Sequence, residues 1–323
     1  MMPWLVDHVG NPHSIHTPGL KARQAVEQAR EQITELLCLD DPAQVIFTSG
    51  ATESCNTILK LSDPNNAEIS PFEHSALRVP ASHQQIPLIP NQGHNLTFTP
   101  EKTHIVTACT NETGAIQTAA SPWICDATQA IGKINFNARM PQMTAFSAHK
   151  FGGPLGIGVL ILKDPSLLNE HNALLAGGGH ESGRRAGTLN VPAIIGLAAA
   201  LKIALGDQDQ NATHTQLLRE VILNELQPER INDSSNQSPH ILSLVFPKVT
   251  AQTLVIELDA HGFSVSSGSA CSSGSTEPSP VLLALGLSPA EALSTLRISF
   301  GSQNTVDSTA GLARTLKSIL AKF

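Results

Sequence analysis

The chain contains no tyrosine, and its aromatic residues make up only 4% of 323 positions. A phenol is therefore excluded as a general acid, as a nucleophile and as a ring stacked on a cofactor. Cysteine is scarce and unpaired. Cys38, Cys55, Cys109, Cys125 and Cys271 are odd in number, and no two form a C-x-x-C pair. This argues against a disulfide framework and against a zinc knuckle, and no metal site is expected. Basic charge is also short, with 20 Lys and Arg against 27 Asp and Glu and a formal net charge of −7. Without a basic block, a surface that grips nucleic-acid phosphates is not expected. Long apolar runs are missing too. The longest, Val191 to Leu201, falls short of the roughly 20 residues that span a bilayer. The opening MMPWLVDHVGNPHS lacks the basic end and apolar run of a signal peptide. Together these absences predict a soluble protein of a reducing compartment, the cytoplasm, with no membrane partner.

What is present is an ordinary globular mixture, 41% hydrophobic and 15% charged, on a chain long enough for two domains at roughly 100–200 residues each. Thr17-Pro18 predicts a helix start, with Thr as the cap and Pro at the first position. Ala22, Ala25, Val26, Ala29, Ile33, Leu36 and Leu37 then give it one apolar face. A strand is predicted at Val45–Thr48, running into the small residues Ser49-Gly50-Ala51-Thr52 that turn into a second helix. Further strands are expected at Ile105–Cys109, Trp123–Ala127, Thr144–Ala148 and Gly158–Leu162, and a helix over Val191–Leu205. Between Ser62 and Thr103 no helical period is visible. The polar stretch Gly206–His214 reads as a domain boundary. Beyond it come strands at Ile241–Phe246 and Leu296–Phe300 and helices at Ala251–Ala260 and from Val306. Alternating strands and helices predict an α/β domain over residues 1–205 with a mainly parallel central sheet between helices. A smaller α+β domain follows over 206–323, with the first residues of the chain packing against it.

Several segments carry candidate chemistry. Lys150 follows an apolar strand and precedes Gly152-Gly153-Pro154, a strand end of the kind where α/β proteins place ligands. A lysine held there suits a Schiff base with pyridoxal 5′-phosphate (PLP). PLP also needs a phosphate cup, an acid at the pyridine nitrogen and a cover for the ring. Gly50, Ala51 and Thr52 supply small residues ahead of a helix N-terminus, with Ser147 and His149 as added donors. Asp126 follows the strand Trp123-Ile124-Cys125, and His74 is available to cover the ring. On their own, each of these residues reads more simply as a cap, a turn or a structural histidine. Four cysteines sit near apolar positions, where a buried inert thiol is expected. Cys271 alone lies in a run of Ser, Gly and Ala, which predicts an exposed loop suited to a thiolate that meets one partner and then another.

In combination these segments resemble the cysteine desulfurases of the NifS/IscS type, PLP-dependent fold type I enzymes of the class V aminotransferase group. The matching stretches are GNPHSIHTPG (10–19), FTSGATESCN (47–56), EHSAL (73–77), TNETGAIQ (110–117), CDATQAIGK (125–133), SAHKFGGPLGIG (147–158), GGGHESGRRAGTLN (177–190), SSGSACSSGSTEPSPVLLALG (266–286) and LRISFG (296–301). The resemblance implies a PLP-dependent transferase-like large domain and a small C-terminal domain carrying the cysteine loop. It makes Lys150 the Schiff-base lysine and the base at Cα, Asp126 the partner of the pyridine nitrogen, Gln129 a contact of the ring hydroxyl and His74 the stacked ring. Gly50, Ala51, Thr52, Ser147 and His149 would hold the phosphate, with Thr188 reaching the phosphate of a neighbouring subunit in a homodimer. Asn111, at the cofactor's edge, and Arg297 would hold the substrate carboxylate. Cys271 would take sulfur from L-cysteine as a persulfide, releasing L-alanine, and pass it to an acceptor such as an iron–sulfur scaffold or a thiolation carrier.

The chain departs from the family pattern in places. It starts just after the family's YLDNAATTP element. GGGQERG becomes Gly177-Gly178-Gly179-His180-Glu181-Ser182-Gly183, and GPKG becomes Gly153-Pro154-Leu155-Gly156. The connections 60–103 and 117–123 are short. The alternatives are a related PLP lyase acting on selenocysteine or cystine, and a truncated, weakly active or inactive paralogue serving as a dimeric binding or regulatory subunit. A cysteine hydrolase built on Cys271 would leave the Lys150 and Asp126 segments unexplained. Gly132-Lys133 lacks the upstream glycine of a nucleotide-binding loop.

Overall fold

The computed structural model describes residues 1–268 and 277–323. Cys271 lies outside the described residues. The chain divides into two compact units. The first comprises residues 1–88, 98–108 and 118–207, and the second residues 89–97, 109–117 and 208–323. Two short segments that the sequence placed in the large domain thus belong to the second unit. The first residues are part of the first unit. Met1 lies so close to Gly196 that a Cβ there would meet its sulfur at 2.6 Å.

The first unit is built on six strands: β1 (Val45–Thr48), β2 (Ala67–Ile69), β3 (Thr103–Ile105), β4 (Trp123–Asp126), β5 (Met143–Ser147) and β6 (Gly158–Leu162). Their order is β1-β6-β5-β4-β3-β2. The pairs β2–β3, β3–β4 and β4–β5 are parallel, whereas β6 is antiparallel to both β5 and β1. Only β6 is reversed, so the C-terminal ends of the other five strands share one edge. Every residue of β1, β4, β5 and β6 is buried, the pattern of strands covered on both faces. One core joins Ile46, Ile69, Ile105, Ile124 and Leu160 of the sheet to Ile58, Leu59 and Leu77 of the helices.

Helices α1 (Thr17–Leu36), α2 (Ala51–Leu61), α3 (Ser75–His83) and α4 (Val191–Gly206) belong to this unit, together with a short helix at Met2–Val6. The cap of α1 is His16 rather than Thr17, because the Nδ1 of His16 accepts the Gly19 N–H at 3.1 Å. Helix α3 lies in the stretch where the sequence shows no period, since nine residues containing Pro80 are too few and too interrupted to display one. Pro80 cannot donate to the Ala76 carbonyl, and Asn56 Nδ2 donates to that oxygen instead at 3.3 Å. The structure also moves one cysteine. Cys55, Cys109 and Cys125 are buried as expected, but Cys38 is exposed. It sits just past α1 with φ of 53°, which turns it away from the helix's apolar face.

The second unit holds an antiparallel sheet of β7 (Ile241–Val245), β8 (Ser266–Ser267) and β9 (Thr295–Ser299), in the order β8-β9-β7. Against it pack α5 (Gln208–Leu226), α6 (Ala251–Ala260) and α7 (Val306–Leu320). The boundary expected in the polar stretch Gly206–His214 falls between Asp207 and Gln208, and the rest of the stretch starts α5, which buries Thr215, Leu218, Arg219 and Ile222 further along. Among the described residues, no single helix is long and apolar enough to cross a membrane.

Candidate functional site

The shared strand edge of the first unit collects the residues that the sequence singled out. β1 ends at Thr48 and the chain turns through Ser49-Gly50 into α2, whose first residues are Ala51 and Thr52. The Ala51 N–H donates to Ser147 Oγ at 2.6 Å, joining the end of β5 to the start of α2. The turn is tightly seated. A Cβ on Gly158, the first residue of β6, would lie 2.6 Å from the Gly50 Cα. Only glycine permits that backbone-to-backbone approach, and no repacking of side chains could relieve it. The result is a helix N-terminus with small residues, where N–H groups and the helix dipole favour an anion.

Asp126 is the last residue of β4 and is 5% exposed. Its Oδ1 accepts the Thr128 N–H at 2.9 Å, and among the described residues it forms no ion pair with Lys or Arg. A buried carboxylate without a cation is costly, so this position favours a positively charged group brought to it. His74 caps α3, its Nδ1 accepting the Ala76 N–H at 3.1 Å. That bond places the proton of the neutral ring on Nε2. Burial holds the His74 imidazole below its usual value; Asp126 opposes this, and the charges of Lys150 and Arg78 reinforce it. These interactions put His74 in the field of both Asp126 and Lys150.

Lys150 lies in the 3₁₀ turn Ala148–Phe151 that leaves β5, and it is exposed, as is His149. Partial burial, followed by the charges of Lys150 and Lys133, lowers the His149 imidazole. Gln129 is half-buried, and its Oε1 accepts from Lys133 Nζ at 2.5 Å, leaving its Nε2 to donate. Thr188 is exposed on the segment after the Gly177–Gly179 cluster. That segment is fixed twice. Arg185 pairs with Glu53 of α2 through bonds of 2.8 and 3.1 Å. Burial would raise the Glu53 carboxyl, but hydrogen bonds from Arg185 and Ser49 outweigh it and hold the group below its usual range. Arg30 of α1 clamps both oxygens of Glu181 at 2.7 and 3.0 Å, and Glu181 also accepts the Phe47 N–H at 2.9 Å.

In the second unit, Arg297 of β9 donates from Nη1 to the Asn111 carbonyl at 2.9 Å. Ser266 of β8 pairs with Arg297, and the Gly268 N–H bonds to the Thr295 carbonyl at 3.0 Å. The segment leading toward Cys271 therefore starts beside Arg297. The described geometry thus gathers Gly50, Ala51, Thr52, His74, Asp126, Gln129, Ser147, His149 and Lys150 along one edge of the first unit. It also places Asn111 with Arg297 in the second.

Sequence reasoning missed two features. One is the Arg30–Glu181 clamp. The other is Glu73, which is 1% exposed and accepts the Thr107 N–H on Oε1 at 2.5 Å. An acidic residue directly after Pro71-Phe72 was the available signal.

Comparison with known proteins agrees with this geometry. The class-V aminotransferase family matches residues 1–310. The "Cysteine desulfurase IscS 1" of Archaeoglobus fulgidus is 31% identical, over all of this chain and 93% of that protein. That alignment runs to 363 positions for a chain of 323 residues, in keeping with shortened connections. A solved structure titled "NIFS-LIKE PROTEIN" superposes with a TM-score of 0.89 at 28% identity, covering 100% of this chain and 94% of the other. Another, "SspA in complex with cysteine", gives a TM-score of 0.77 at 28% identity and covers 94% of each chain. With that fold, that strand-end edge and these relatives, the chain belongs to the class-V aminotransferase family and, within it, to the cysteine desulfurases of the NifS/IscS type.

Proposed function

We propose that this protein is a PLP-dependent cysteine desulfurase that removes sulfur from L-cysteine, releases L-alanine and carries the sulfur as a persulfide on Cys271. The observation that carries this reading is the common strand edge bearing Gly50, His74, Asp126 and Lys150, with a buried Asp126 that forms no ion pair with Lys or Arg among the described residues. Bound there, PLP supplies an electron sink for the charge that develops at the substrate's Cα. Lys150 would hold the cofactor through Nζ and would move the proton at Cα. Asp126 keeps a positive charge on the ring nitrogen, Gln129 donates from Nε2 to the ring hydroxyl and His74 covers the ring face. Gly50, Ala51, Thr52, Ser147 and His149 receive the phosphate, joined in a homodimer by Thr188 of the neighbouring copy. Asn111 and Arg297 orient the substrate carboxylate. The Cys271 thiolate attacks the substrate sulfur. An S–S bond forms, the C–S bond breaks, and its electron pair returns to the carbon skeleton that leaves as alanine. The sulfur then passes to an acceptor protein in the cytoplasm, an iron–sulfur scaffold or a thiolation carrier.

Purified protein is expected to be yellow with added PLP, and Lys150→Ala is expected to abolish the absorbance band. Sulfide release from L-cysteine should require Cys271, so Cys271→Ser should lose it. Protein that stays colourless once unbound PLP is removed overturns the reading.

A further inference from the structure

Beside Asp126 the structure buries a second carboxyl group to which the proposed reaction assigns no task. Glu73 Oε1 takes the Thr107 N–H at 2.5 Å, while Oε2 is buried with no hydrogen-bond partner. Thr107 Oγ1 in turn donates to the Asp126 carbonyl at 3.1 Å. Thr107 thus ties the Glu73 carboxyl to the end of the strand that carries Asp126, and Glu73 is the chain neighbour of His74. We propose that Glu73 is a positioning residue, a neutral acid that locks the residue covering the ring to the residue facing its nitrogen. This rests on the PLP reading above.

The surroundings support the neutral form. Asp126, Cys55 and Cys125 are the ionisable groups in the field of Glu73, and all three are buried. His74, with Lys150 and Arg78 in its own field, lies on the adjoining stretch of chain. Two carboxylates sharing a dry cluster without a cation repel each other, so one of them keeps its proton. Burial first, and then the Asp126 charge, push the Glu73 carboxyl well above the usual range. Asp126, held by the Thr128 N–H, is then the single anion. As a neutral acid, Glu73 accepts the Thr107 N–H through its carbonyl oxygen and carries its proton on the partnerless Oε2. The cofactor nitrogen would meet one negative charge rather than two.

Two variants and one spectrum test this on the full chain. Glu73→Gln keeps an acceptor for the Thr107 N–H and brings no charge, and it should bind PLP with nearly wild-type affinity. Its bound-cofactor circular dichroism band should also be unchanged. Glu73→Ala loses the tie, and it should bind PLP about tenfold more weakly with an altered band, because that band reports how the ring is seated. In cofactor-free protein at neutral pH, infrared spectroscopy should show the carbonyl band of a protonated carboxylic acid in wild type and not in Glu73→Gln. The proposal is overturned if that band is absent from wild type, or if Glu73→Gln weakens PLP binding as much as Glu73→Ala. Should the alanine variant fail to fold, the glutamine variant and the infrared band still decide. A wild type that binds no PLP defeats the functional reading instead, and the infrared band then judges Glu73 alone.

Discussion

The first unit buries acidic groups in two places and treats them in opposite ways. Glu181 is saturated: both of its oxygens meet Arg30, and one also accepts a backbone N–H from β1. Asp126 and Glu73 are also buried, yet among the described residues one has no Lys or Arg partner and the other has an oxygen with no hydrogen-bond partner. The first arrangement balances its charges within the chain and serves to hold a loop. The second is out of balance within the chain, and a cationic ligand group would restore it. Buried charge by itself therefore says little about function, and the discriminating fact is whether the chain completes the shell.

The largest effect should come from breaking the complete shell. Glu181→Gln leaves the buried Arg30 with only the half-exposed Glu27 carboxylate as a charge partner and is expected to lower folding stability by up to about 3 kcal/mol, read by urea denaturation. Replacing Arg30 and Glu181 together with apolar residues should cost much less. Asp126→Asn inverts this behaviour. The cofactor-free protein should be no less stable, because an uncompensated charge is removed. PLP affinity, by titration, should nevertheless fall by about 2–5 kcal/mol, roughly 30- to 5,000-fold. If Asp126→Asn instead destabilises the cofactor-free protein as Glu181→Gln does, the contrast between the two clusters collapses.

A pH series sharpens the comparison. Folded Glu73 keeps its proton to a higher pH than the unfolded chain does. Its stabilising contribution is present below the unfolded carboxyl value of about 4.3 and is lost as pH rises toward the raised folded value. Cofactor-free wild type should lose stability relative to Glu73→Gln above that pH, at up to about 1.4 kcal/mol per unit. A flat difference between the two proteins would show that Glu73 ionises normally. The smallest effect concerns a neutral orphan that is satisfied locally. Asn56→Ala strips the Ala76 carbonyl of its donor and should cost about 1 kcal/mol, measured as a lowered unfolding midpoint.

Much of this was legible in the sequence, for identifiable reasons. β1, β6 and α7 were readable because short apolar runs and a 3.6-residue period survive without knowledge of their neighbours. Gly50, Asp126 and Lys150 were readable because each directly follows an apolar strand, so their meeting on one edge required only that the strands be parallel. The rest depended on long-range contacts. Helix α3 is invisible because Pro80 interrupts it and its repair comes from Asn56 of another helix. Residues 89–97 and 109–117 change unit in ways that composition does not mark. Glu73 reads as a surface acid until the sheet closes over it. The Arg30–Glu181 pair spans 151 positions, a separation at which no local pattern operates.

The single reversed strand has one more consequence. β5 and β6 are antiparallel neighbours, so Lys150 lies in the connection 148–157 between two adjacent, fully paired strands, whereas Gly50 and His74 lead from the sheet into helices. The anchors of that segment cannot separate without unzipping the middle of the sheet. Amide protons flanking the lysine turn, in β5 and β6, should therefore exchange with solvent only in the slowest opening events of the first unit. Those at the start of α3 should exchange earlier. The lysine's anchorage is thus among the last parts of the first unit to let go.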